Sequence, residues 1–159
     1  MSYVTGDIFT LSPPRQTLKA WIPFWDCVTI LFEFQNSDVD EEHSEWRLLW
    51  VAGVALLRTI GHVLAKADAT TSSRHKTEID QLWATWKSDR AQYAIFWEFV
   101  EGERNNLLKT YTFGARLAQD SKGYYVEFED GEDAFQLFRQ AVYWWRHQLM
   151  ALEATLKPA

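Results

Sequence analysis

Cysteine is almost absent from this 159-residue chain: Cys27 stands alone. One thiol excludes an internal disulfide framework and any zinc site built from several cysteines. The seven glycines are scattered, and none forms a GxxxxGK phosphate loop. Basic charge is in deficit, with 16 Lys and Arg against 22 Asp and Glu and a formal net charge of −6. That balance argues against a broad nucleic-acid-coating surface and leaves room only for a local basic site. Uninterrupted apolar runs fall far short of the ~20 residues that span a bilayer. The opening Met1-Ser2-Tyr3-Val4-Thr5-Gly6-Asp7 has no signal-peptide pattern. The expected address is therefore the cytosol, with no membrane partner.

What is present is apolar and aromatic. Hydrophobic residues make up 47%, aromatics 16%, and there are nine Trp, so the chain can build a core and is not disordered. Its length fits a single domain over residues 1–159. Residues 1–15 read as an irregular arm ending in Ser12-Pro13-Pro14, which stops a helix. Residues 17–157 read as a helical bundle.

Within that bundle, residues 17–36 carry two patterns. Trp21, Trp25, Val28 and Phe32 fall at helical spacing, whereas Val28, Ile30, Phe32 and Phe34 alternate like a strand. We expect a helix, begun or kinked by Pro23. Residues 40–67 form the clearest helix, with a stripe from Trp46 and Trp50 through Leu57 to Leu64. Residues 74–113 read as one long helix ending at Gly114. The turn signal Asp120-Ser121-Lys122-Gly123 suggests a short hairpin within 115–130. Residues 131–156 close the chain with a seam of Phe135, Phe138, Val142, Trp145, Leu149, Leu152 and Leu156. The expected fold is all-α, an antiparallel up-down bundle of four to five helices with one short hairpin. Second apolar lines, Val51, Val54 and Ala55 on one helix and Leu137, Ala141 and Trp144 on another, suggest a further helix contact or a homodimer. Trp144, Trp145 and Trp21 are the tryptophans expected to reach a partner.

The most informative stretch runs from Phe96 to Tyr111. At ~100° per residue, Arg104 falls inside the apolar stripe between Val100 and Tyr111, with Glu101 on the flank and Lys109 opposite. A charge facing a core needs an acceptor. Folding the helices about residues 70 and 71 sets Arg104 near Glu41, Glu42 and Glu45; packing against the last helix sets it near Gln140 and Tyr143. Arg104 is thus expected to be buried in a carboxylate pair. Alternatively it grips phosphate, which a guanidinium holds at two points.

Four helices with an acid shortly before Arg-Asn in a late helix resemble the HEPN (higher eukaryotes and prokaryotes nucleotide-binding) domains. The resemblance implies a helical bundle, usually homodimeric, and in many members a metal-independent ribonuclease of toxin–antitoxin or phage-defence systems. Their motif is an Arg, a polar follower, four to six residues, then a catalytic His. Here Glu101 resembles the upstream acid, Arg104 the motif arginine and Asn105 its follower. Lys109, Thr110 and Tyr111 stand where the His would fall. One variant ends His-x-Tyr; this chain keeps Tyr111 and carries Lys109 in place of the His. Arg104 and Asn105 would hold phosphate, and Glu101 would position Arg104.

An unperturbed Lys, with pKa ~10.4, is a poor base at neutral pH, so other histidines matter. His43 is expected level with Arg104 at the start of the second helix. His62 follows Arg58 by one helical turn, and the same folding places it tens of ångströms from Arg104 within one chain. His75 and His147 read as surface residues. No nucleophile elbow, HExxH motif, di-iron ExxH or calcium loop is present, so no metal or cofactor is implied. Cys27 lies in an apolar stretch without a base and reads as inert. The leading expectation is a degenerate, non-catalytic HEPN-like interaction module, dimeric or bound to an antitoxin-like protein. The alternative is a metal-independent endoribonuclease, or an RNA- or nucleotide-binding toxin, acting through Arg104, Asn105, Tyr111, Lys109 and Glu101. A third reading is a small-ligand binder between helices, walled by Trp83, Trp86 and Trp145.

Overall fold

The helical reading of residues 17–36 prevails over the strand. Trp21, Phe24, Cys27, Val28, Leu31 and Phe34 are all buried, which is the three-and-four spacing of one helix face. They belong to α1 (Trp21–Asn36) in a computed structural model that describes residues 15–158, apart from the side chain of Asp130. Nearly all of the expected irregular arm, and Ala159, lie outside the described residues. Pro23 sits in the first turn, where its missing N–H would have had no helical partner.

The start of α1 has no local cap, since Ala20 offers no side-chain acceptor. Two distant carboxylates serve instead. Glu153 accepts from the backbone N–H of Thr17 (2.6 Å) and Leu18 (2.9 Å), from the Thr17 hydroxyl (2.8 Å) and from Trp21 Nε1 (3.1 Å). Asp68 accepts from the N–H of Lys19 (2.7 Å) and Ala20 (3.0 Å). Both acids are buried. Burial pushes the Asp68 carboxyl above its usual range, against the pull of its two backbone hydrogen bonds.

α2 (Glu45–Lys66) packs against α1 and the last helix. At Gly53 the three meet: a Cβ there would lie 2.6 Å from the Phe138 ring and 2.9 Å from Ile30. With the 3₁₀ turn Asp68–Thr70 that follows, the segment Glu45–Thr70 is long and apolar enough to cross a bilayer. The uninterrupted apolar runs within it stay short, as expected, because Arg47, Arg58 and Lys66 interrupt them without breaking the helix. Here its stripe of Trp46, Trp50, Val54, Leu57, Ile60 and Leu64 is core.

The single long helix expected over 74–113 is divided. α3 (Ser73–Ser88) is capped by Ser72 and ends at Asp89, which leaves helical geometry and accepts from the N–H of Gln92 at 3.0 Å. The chain re-forms as a π-helical segment, Ile95–Glu101, that runs into α4 (Gly102–Thr110). The stop is Tyr111, in the left-handed region at φ 52°, rather than Gly114.

The expected hairpin is β1 (Arg116–Asp120) paired antiparallel with β2 (Gly123–Glu127). Gly123 takes φ 125° at the turn, a conformation suited to glycine. After a 3₁₀ turn (Glu129–Gly131), Asp133 caps α5 (Ala134–Leu156) by accepting from the N–H of Phe135 and Gln136. The described residues therefore form a mostly helical bundle of five helices and one hairpin.

The second apolar lines are covered within the chain only in part, Val51 and Ala55 remaining half-buried. Val54, Leu137 and Ala141 are buried, and Trp144 packs on Trp86 (5.1 Å) and Phe96 (5.7 Å). Trp21 and Trp145 are buried too, so they do not reach a partner as expected. Trp86, Trp144 and Trp145 fill the space where α3 and the π segment fold onto α5.

Glu153→Ala would strand two backbone donors, a hydroxyl and an indole, and should destabilise the fold by about 3 kcal/mol or more in chemical denaturation. Glu153→Gln, which keeps one acceptor oxygen, should lose clearly less.

Candidate functional site

Arg104 is half-buried, and its Nη1 donates to Oδ1 of Asn105 at 3.1 Å. The expected partners are engaged elsewhere. Glu101 pairs with Arg58 of α2, Nε to Oε2 at 3.6 Å, and the 41–45 acids lie at the far end of that helix. Arg58 extends over the rings of Trp83 (5.5 Å) and Phe96 (5.4 Å). Its Nη1 is buried without a hydrogen-bond acceptor. Burial is the main cause lowering its pKa; the nearby Arg104 charge adds to that, while Glu101 opposes it.

His62 sits one turn beyond Arg58. Burial first, then the charges of Arg58, Arg104 and Lys66, hold its imidazole below the usual histidine range, with Glu101 opposing. Arg104 and His62 therefore share one electrostatic neighbourhood within a single chain, which corrects the expected separation of tens of ångströms. The break after Ser88 explains the error. In a continuous helix Trp83 and Phe96 would be about 20 Å apart; here their ring centroids are 5.5 Å apart. The fold-back draws the later residues alongside the second half of α2.

The charge that turns inward is Glu103, not Arg104. Glu103 is 2% exposed. It accepts from Trp50 Nε1 (3.2 Å) and from the Gly114 N–H (3.0 and 3.1 Å). A Cβ on Gly114 would lie 2.6 Å from Phe128 and 2.9 Å from the Glu103 carboxylate, so glycine lets the chain approach this closely. Burial is the largest influence on Glu103 and raises its pKa, against the Gly114 and Trp50 hydrogen bonds. Positions three and four residues after Val100 both border the stripe. The π segment also turns less than 100° per residue, so a straight-helix projection misplaces the two.

The remaining candidates lie apart. Lys109 is exposed and stands about 140° round α4 from Arg104. Tyr111 is 57% exposed, with its ring edge on Phe113 (5.0 Å) and its side chain beside Arg47 and Leu48. That is about 16 Å along α2 from Arg58. His43 is exposed, with Nδ1 2.8 Å from Asp40. The hydrogen bond to Asp40 raises its pKa, and the same bond lowers that of Asp40. Cys27 is buried, and burial pushes its thiol far above the ordinary range, which suits an inert core residue. Among the described residues, no three His, Cys, Asp or Glu side chains gather as metal ligands.

The assembled site is thus Arg58, His62, Arg104 and Asn105, with Lys66 at its edge and Glu101 as the acid within it. The sequence pattern drew attention to Glu101, Arg104 and Asn105. Arg58 and His62 were visible only as neighbours one helical turn apart. No protein-family model, curated protein or solved structure matches the chain, so the site is read from its own geometry.

Glu103 supplies a test of the inward charge. Its folded pKa is raised, so the native state binds more protons than the unfolded chain above the ordinary carboxylate pKa. The stability of the wild type relative to Glu103→Gln should therefore rise as pH falls from 7 toward 4.5. Glu103→Ala, which strands Trp50 Nε1 and the Gly114 N–H, should cost about 2–4 kcal/mol at pH 7 in urea unfolding.

Proposed function

We propose that this protein is a HEPN-like helical module that binds phosphate of RNA or a nucleotide on the face carrying Arg58, His62 and Arg104. One observation carries the reading: two guanidiniums and an imidazole from two helices share a neighbourhood in which Glu101 is the acid, paired with Arg58 and felt by His62. Such a local excess of cation is what a phosphate offsets. The Asn105 amide adds a neutral donor, and Glu101 holds Arg58 in place at 3.6 Å. In this reading Arg104 and Asn105 take the phosphate-holding roles that the HEPN resemblance implies, Glu101 positions Arg58 in place of Arg104, and His62 supplies an imidazole from a different helix.

The reading is binding rather than cleavage. Metal-free cleavage of RNA needs a second group to protonate the leaving oxygen. Tyr111 and His43 belong to the other end of α2, and Lys109 faces away from Arg104.

A second reading is an interaction module, homodimeric or bound to an antitoxin-like protein. It is favoured by large apolar side chains left in solvent: Leu48 (70% exposed) and Tyr111 (57%), which line one groove, and Leu108 (53%), one turn before Tyr111.

Titration of labelled single-stranded RNA and of a nucleoside triphosphate at low salt should show saturable binding. Arg104→Ala should weaken it about tenfold or more, and Arg104→Lys should recover only part of the loss. Because the His62 imidazole is held below the usual histidine range, affinity should rise as pH is lowered from neutrality through that depressed range, and His62→Asn should flatten that rise. Wild-type protein that binds neither ligand at any of these pH values overturns the phosphate reading. In sedimentation at tens of micromolar, a dimer that Leu48→Glu dissociates would establish the second reading; a monomer throughout would refute its dimeric form.

A further inference from the structure

A half-open groove of about 340 Å³ lies between the π segment, the 3₁₀ turn and α5. It is separate from the basic face. Phe99, Phe128 and Leu137 form its apolar floor, and Glu98, Glu129 and Glu132 stand at its rim. All three glutamates are exposed, and among the described residues none has an ion-pair partner and no Lys, Arg or His lines the groove. The Phe99 and Phe128 rings meet edge to face, 5.4 Å between centroids. Glu98 and Phe99 are neighbours on the π segment, the helical form that recurs at functional sites.

We propose that this groove binds a small organic amine, with its ammonium among Glu98, Glu129 and Glu132 and its apolar body on Phe99, Phe128 and Leu137. The chemistry selects that class by complementarity. An ammonium has three donors and no acceptor, matching a rim of charged acceptors. Aromatic faces suit an apolar or aromatic body and attract the cation as well. A bare metal ion would leave the floor unused, since hard cations require oxygen on most sides. A neutral ligand would draw no charge-assisted hydrogen bond from the three carboxylates. The volume is at the small end for ligand sites and too short for the row of anchors a partner helix presents.

The probes are 2-phenylethylammonium, its neutral isostere 2-phenylethanol, ethylammonium, and a Lys-containing peptide. Binding is followed by calorimetry and by the Leu137 methyl resonances of the full chain. The expected result is one saturable site for 2-phenylethylammonium, with Kd at or below about 1 mM. The alcohol and ethylammonium should bind about tenfold more weakly or worse. Glu98→Gln/Glu132→Gln, at exposed positions and checked for unchanged circular dichroism, should weaken the amine about tenfold. Absence of saturation, equal binding of the alcohol, indifference to the double substitution, or binding of the peptide without the free amine would each overturn the proposal.

Discussion

Four consecutive backbone N–H groups, from Thr17 to Ala20, end on two buried carboxylates, and the rest of the fold depends on that junction. These groups form the turn that leads into α1; Leu18 and Ala20 are buried, and each buried donor left unpaired costs about 1–3 kcal/mol. α1 has no capping side chain of its own. Asp68, at the turn after α2, and Glu153, near the end of α5, supply the acceptors and place negative charge where the helix dipole favours it. The beginning, middle and end of the described chain are thereby held at one point. α1 can then lay its apolar face on α2 and α5, and Gly53 lets the three backbones approach.

Much of this architecture was legible because apolar spacing reports local conformation. The α5 seam and the α2 stripe are long and regular, and the turn residues around Lys122-Gly123 mark the hairpin. The junction at α1 was not legible, because carboxylates more than forty positions away in sequence leave no local pattern. The division of the third helix was legible in principle. Asp89 stands three residues before Gln92, the spacing of a reciprocal helix cap. The apolar stripe continued through it, and that continuity concealed the break.

The site illustrates the same limit. Glu101, Arg104 and Asn105 are neighbours in sequence and were found together. Arg58 and His62 join them only because the chain folds back after Ser88 and brings Phe96 level with Trp83. Whether Glu103 or Arg104 faces the core was beyond a helical projection. Both flank the stripe, and the choice falls to the acceptor that Trp50 Nε1 and the Gly114 N–H require.

The π segment has one more consequence, in the arithmetic of insertions and deletions. A π turn houses more residues than an α turn over the same axial advance. Ile95–Glu101 is therefore a place where the chain can lose one residue and remain helical. Such a deletion would tighten the π turn to an α turn and leave α4 in phase with the helices it packs on. Glu103 would keep Trp50 and Gly114, and the change would be confined to the side chains that the π segment presents. The segment is thus a buffer in which one codon can be lost while the buried contacts on either side survive.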